Sequence, residues 1–184
     1  MKKTVDVNAV TLEKEKESFV KTNKGLHLVF TVLQVLSLMT AILTSIMLIM
    51  MGINAVFEFS DSISFPDVYL TLTLLVISVG YFIAFNHARK IFDVFKSGES
   101  PFRYDVADKM KGAATAIISA NLINFAIGLV YFAVGGFMKL SNGEVFEMDF
   151  NFDLGSLILG ILIYAFSYVF NYGAKLQQES DETL

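Results

Sequence analysis

The chain has no cysteine and no tryptophan, and only two prolines and two histidines in 184 residues. Without cysteine there is no disulfide, no thiolate metal site and no cysteine nucleophile. His27 and His87 stand alone, and no HExxH, paired carboxylate or Ser/His/Asp grouping occurs. The sequence therefore offers no catalytic residue, no metal site and no cofactor site, and it reads as a non-enzyme. Charge is scarce too. Only 17% of residues are Asp, Glu, Lys or Arg, 54% are hydrophobic, and mean hydropathy is +0.58.

The charges that exist avoid four long apolar runs, approximately Leu26–Gly52, Val68–Ala88, Gly112–Met138 and Leu154–Ala174. Each is long enough for a helix to cross a hydrocarbon core about 30 Å thick, which takes roughly 20 residues. Helices of a soluble bundle would each carry a polar face, and these do not. The expected fold is an all-α membrane protein, a four-transmembrane-helix bundle over residues 26–178. A polar segment, 1–25, precedes it and a short tail, 179–184, follows. The first run is too long for the apolar core of a cleavable signal peptide and reads as an uncleaved anchor.

The basic residues give an orientation. Lys2, Lys3, Lys14, Lys16, Lys21 and Lys24 precede the first run. Arg89, Lys90, Lys96, Arg103, Lys109 and Lys111 lie between the second and third, and Lys175 follows the fourth. Only Lys139 falls in the alternate loops. The positive-inside bias then places both termini and the middle loop in the cytoplasm. The two outer loops are acidic, with Glu58, Asp61 and Asp67 in the first and Glu144, Glu147, Asp149 and Asp153 in the second. Either the bias alone removed their basic residues, or they attract a cation or a cationic peptide. Apolar and acidic residues mostly alternate over Val145–Asp153, after the turn signal Asn142-Gly143, and Phe57-Glu58-Phe59 begins similarly. This period of two predicts a small extracellular β element.

No ionisable residue lies at the centre of any run, which argues against an ion-coupled or proton-coupled carrier. Four spans without an internal repeat are also few for a secondary transporter. In the third run Gly112, Ala116, Ala120, Asn124 and Gly128 recur every four residues. Such a small-residue stripe lets helix backbones approach closely, within one bundle or across a homodimer seam. Asn124 and Asn121 are expected to hydrogen-bond a neighbouring helix, with Gln34 and Ser78 as candidate partners.

At the inner edge, the second helix continues through Ile91, Phe92 and Phe95, and Gly98 gives a stop signal. Pro101 biases Ser100 to an extended backbone. Asp105 is the expected N-cap of the third helix, so the connection is Lys96–Tyr104. Its basic residues suit anionic headgroups. Residues 1–25 read as either a short surface helix, starting after Thr11, or a disordered tail. The fourth helix should run to about Glu179, because Ala174–Glu179 are good helix formers.

Two stretches carry a resemblance. ARKIFDVFKSGESPF, residues 88–102, and FNYGAKLQQESDETL, residues 170–184, resemble the two signature segments of a family of small bacterial four-span membrane proteins catalogued as a domain of unknown function. Arg89, Phe92, Gly98, Glu99, Pro101 and Phe102 match the first. Tyr172, Gly173, Leu176, Gln177, Glu179, Asp181, Glu182 and Thr183 match the second. Where the family commonly has Thr or Ser and then acidic residues after Pro-Phe, this chain has Arg103-Tyr104. The resemblance implies a bacterial plasma-membrane location. It also implies genetic association with a small helix-turn-helix regulator of the Cro/C1 type. The expected function is thus a regulatory or sensor anchor whose cytoplasmic residues hold that regulator, with no direct nucleic-acid contact of its own. The alternatives are an accessory subunit of a transport or stress-response complex, and a purely structural membrane protein.

Overall fold

A computed structural model describes residues 7–57, 65–97, 100–142 and 153–183. They form four helices: α1 (Val7–Phe57), α2 (Phe65–Lys96), α3 (Tyr104–Asn142) and α4 (Leu154–Glu182). All four are long and apolar enough to cross a membrane. No strand occurs among the described residues; the expected β element falls mainly on residues 143–152 and 58–59, which lie outside them.

The ends of the helices follow local chemistry. Pro66 sits in the first turn of α2, where a missing N–H costs nothing, and Asp67 beside it suits the positive end of the helix dipole. Lys96 closes the same helix at its negative end. The Arg103 carbonyl accepts from the N–H groups of Val106 and Ala107 at 3.2 Å each. That places Asp105 inside the first turn of α3 rather than at its N-cap, and there it pairs with Arg103 at 3.2 Å and Lys109 at 3.9 Å. Asp153 does cap α4, accepting from the Ser156 N–H at 3.0 Å. At the N-terminal side, α1 is one unbroken helix from Val7, so the described part of the 1–25 segment is neither a detached surface helix nor a tail.

Burial is inverted relative to a water-soluble protein. Most covered positions are small or hydroxylated, Ala41, Ala84, Ala114, Ala120, Ser37, Thr44, Thr71 and Ser78 among them, with Val106, Ile117 and Asn23 among the exceptions. Leu, Ile, Val, Met and Phe side chains line the outside of every helix. Lipid solvates such side chains as well as a protein core does, so association relies on close backbone approach instead. The covered hydroxyls are satisfied within their own helices: Thr44 donates to Thr40 O at 2.9 Å, Thr71 to Asp67 O at 2.8 Å and Ser78 to Leu74 O at 2.7 Å. This removes the cost of a bare polar group in hydrocarbon.

The helices pack in chain order. Among the described residues, α1 approaches α2, α2 approaches α3, and α3 approaches α4; α1 stays apart from both α3 and α4. The four expected helices are present, and they pack in sequence order as an open row. In water an open row would expose apolar stripes at heavy cost, but lipid removes the force that closes a soluble bundle.

Three contacts set α2 on α3. Tyr69 stacks on Tyr131 with centroids 4.1 Å apart, Gly80 meets Ala120, and His87 lies over Gly112. A Cβ added at Gly80 would sit 2.4 Å from the Ala120 Cβ, so the backbones here are too close for any side chain. At Gly25 in α1 the same atom would meet nothing within 4 Å. Gly80→Ala is therefore expected to destabilise the protein by about 1–3 kcal/mol through overpacking. Gly25→Ala should stabilise it by up to about 1 kcal/mol, as in any exposed helix interior. Thermal unfolding in detergent checks both, and equal behaviour of the two variants would contradict the close approach.

Candidate functional site

The end of the row that carries both chain ends also carries the connection between α2 and α3. There the two segments singled out in the sequence meet. The Ser100 hydroxyl donates to Gln177 Oε1 at 2.6 Å, and the Phe102 N–H donates back to Ser100 Oγ at 3.3 Å. Pro101 stands between them, so the turn is held by a rigid residue and one hydroxyl. The Phe102 ring then lies on α4. Its centroid is 5.5 Å from that of Phe170, and a Cβ at Gly173 would come within 2.5 Å of Phe102 Cδ1. Gly173 is thus the notch that admits the ring.

Beside this contact runs an open groove of about 560 Å³ between the start of α3 and the end of α4. Phe102, Tyr104, Gln177 and Gln178 form its walls, with Asp105, Asp181, Glu182 and Arg103 along its rim. The Arg103–Asp105 pair crosses one side of it at 3.2 Å.

The expected interaction residues divide. Pro101, Phe102, Gly173 and Gln177 form the contact, and Asp181 lines the groove. Tyr172 is 64% exposed and Leu176 48%, and neither lines the groove. Glu179 pairs with Lys175 at 3.8 Å along its own helix. Arg89 and Phe92 belong to a different cluster, described next. Gly98 and Glu99 lie outside the described residues. Ser100 and Phe170 were not among the expected residues. Nothing in the spacing of a lone serine or phenylalanine says which helix it will face, so no sequence signal marked them.

The second cluster joins α1 to the end of α2. Phe92 stacks on Phe30 with centroids 5.2 Å apart, and Phe95 meets Phe19 at 6.1 Å. Asp93 pairs with His27 Nε2 at 3.0 Å and with Lys96 Nζ at 2.5 Å. Asp93 lies more than a turn beyond the apolar run of α2. Burial alone would raise its carboxyl, but the hydrogen bond from Lys96 and the charges of His27 and Arg89 outweigh that and hold it below the usual carboxylate range.

The stripe on α3 splits as well. Gly112, Ala116 and Ala120 face α2 at His87 and Gly80. Gly128 is buried, while Asn124 is half-covered and makes no hydrogen bond to another helix. The expected partners are engaged elsewhere: Gln34 donates to Asn86 Oδ1 at 3.4 Å, and Ser78 bonds its own helix. Asn121 likewise donates to Ile117 O at 3.0 Å. The reason is the open row, which keeps α1 and its Gln34 away from α3.

The geometry defines a class, a four-helix multi-pass membrane protein with a docked connector and tail at one end. Beyond that class the comparisons are silent: no family model, curated protein or solved structure matches the chain.

Two outcomes are expected. Since the chain has no native cysteine, a Ser100→Cys, Gln177→Cys pair should oxidise to a crosslink within one chain, read as a reductant-sensitive shift in mobility. Failure to crosslink in membranes, where a Gly25→Cys, Gln177→Cys control also fails, would contradict the docked tail. For Asp93, a lowered carboxyl contributes stability above the ordinary carboxylate pKa of about 3.9 and loses it as pH falls through the native value. Asp93→Asn should therefore lower the melting midpoint slightly at pH 7, by less than about 1 kcal/mol for this half-exposed pair. Variant and parent should converge in acid.

Proposed function

We propose that this protein is a regulatory or sensor anchor in the bacterial plasma membrane. Its connector and tail together form a cytoplasmic docking surface for a small helix-turn-helix transcription regulator. The observation that carries the reading is the seating of Ser100–Phe102 on Phe170–Gln177. Two segments far apart in sequence, both outside any catalytic chemistry, are built into one surface with an acidic rim. An acidic rim suits a DNA-binding partner, whose surface carries the basic residues that phosphates require.

The cytoplasmic assignment rests on charge. Thirteen of the fourteen Lys and Arg residues fall at the chain ends and in the α2–α3 connection region, with Lys139 the exception. That bias supports both termini inside. The family resemblance of residues 88–102 and 170–184 supports the choice of a helix-turn-helix partner over other cytoplasmic proteins. The lipid bilayer is the other partner, met by the apolar outer faces of all four helices.

A photo-crosslinking amino acid placed at Gln178 in living cells tests the reading. The expected adduct is a small DNA-binding protein, and it should disappear when Gln177–Leu184 is deleted from a chain labelled at Tyr104 instead. An adduct with an ABC-type ATPase would favour the accessory-subunit alternative. Undiminished capture after the deletion would remove the tail from the docking surface.

A further inference from the structure

α2 and α3 meet at three levels, with Tyr69 on Tyr131, Gly80 on Ala120 and His87 on Gly112. α1 packs on another side of α2, and α4 on the Ala114–Ile118 side of α3. One side of the α2–α3 seam stays uncovered by protein, and a crevice open to lipid runs along it. The half beside the Tyr69–Tyr131 stack has about 360 Å³ and no charged group in its lining. The half beside His87 has about 540 Å³, with Leu75, Val79 and Ile83 as a wall and Gly80, Ala116 and Ala120 as the floor. The two halves meet at Ile123. Small residues draw the backbones together, and the branched side chains beside them stand up as walls.

The half beside His87 has the depth of one leaflet. At a rise of about 1.5 Å per residue, Leu75 and His87 are about 18 Å apart along α2. One leaflet takes about 15 Å of a hydrocarbon core about 30 Å thick. This half also has a polar end, which the other lacks. His87 stands where α2 leaves its apolar run, with its ring on Gly112, and its covered Nδ1 has no hydrogen-bond partner. A polar atom left bare at the edge of hydrocarbon is costly, and a further group at that point would relieve it. One turn further along the same two faces come Lys90, after His87, and Lys109, before Gly112. The positive charges of both bear on the imidazole. Lys109 leans on Asp105 at 3.9 Å, while Lys90 has no carboxylate partner among the described residues.

We propose that the half of the crevice beside His87 binds one anionic phospholipid, drawn from the leaflet on the side of the α2–α3 connection. One acyl chain lies along the floor from Gly112 to Ile123, and the phosphate sits at the mouth beside His87 and Lys90. The match has three parts: an apolar trough, a depth of one leaflet, and positive charge at the water end only. Basic residues at this level attract anionic headgroups, and a headgroup without net charge gains nothing from them. An apolar helix laid in the same crevice would leave the basic end unmatched. The other half, wholly apolar and closed by two tyrosines, takes lipid chains without regard to headgroup.

Native mass spectrometry of the full chain, released from detergent with added lipid, tests this. Dioleoyl phosphatidylglycerol should be retained as an adduct at concentrations where dioleoyl phosphatidylcholine, with the same chains, leaves none. Lys90→Gln should weaken the phosphatidylglycerol adduct about fivefold. Ser119 lines the crevice with an exposed side chain, so Ser119→Phe fills it without entering the Gly80–Ala120 contact. That variant should lose the adduct although every basic residue remains. Ala126→Phe, which fills the other half, should leave it unchanged. Equal retention of the two lipids, or an undiminished adduct in Ser119→Phe, overturns the proposal. So does a disulfide-linked dimer of Ser119→Cys in membranes, which would put a second copy of the chain on this face.

Discussion

The structure depends on how close two helix backbones can come. In lipid an apolar side chain gains little by leaving the solvent, so helices hold together where small residues let their backbones touch. α3 supplies such contacts on two faces. One receives Gly80 at Ala120, and the other offers the Ala114 carbonyl, Ile117 and Ile118 to Gly160. Remove α3 and, among the described contacts of α1 and α2, the Tyr81–Ser156 hydrogen bond is what would be left to hold α4. This explains the row. Each helix has one or two faces with small residues, and its remaining surface is Leu, Ile, Val, Met and Phe that lipid can cover.

The same constraint explains which features the sequence exposes. The four helices are legible because length and lack of charge suffice to mark them. The α2–α3 face of the stripe is legible too, since small residues every four positions have few uses in an apolar helix. Order and level of packing are not. An outward Leu and an inward Leu look alike when both neighbours are apolar, so hydrophobic pattern cannot say whether helices close into a bundle or stop at a row. The expected bond from Asn124 to Gln34 failed for that reason: it assumed α1 within reach of α3. Asp153 is read from the sequence as a loop residue, and it does stand just before α4, as that helix's N-cap.

The connector–tail contact lies between these extremes. Pro101-Phe102 and Tyr172-Gly173 stand out as turn and small-residue signals, and Phe102 and Gly173 do meet. The hydrogen bond that fixes the turn, from Ser100 to Gln177, uses two residue types common on any surface. Charge also misleads here. Basic and acidic residues of the connector and tail invite a reading of ionic docking, yet Arg103 pairs with Asp105 and Lys175 with Glu179, each close by in sequence. Aromatic packing and one neutral hydrogen bond join the segments, which makes the joint insensitive to salt, because only charged pairs are screened.

α4 connects the two features at its ends. It is 29 residues long, or about 44 Å at 1.5 Å per residue, with Asp153 before its first turn and Glu182 in its last. Two close approaches fix its position along α3, at Gly160 and Gly173. They are about 20 Å apart on one rigid element. A shift of α4 that lengthened the Tyr81–Ser156 bond would carry Gly173 past Phe102 by the same amount. Packed contacts this tight do not deform gradually, since an interior resists small changes in volume. The Tyr81–Ser156 hydroxyl contact and the aromatic joint are therefore both set by the position of the same helix.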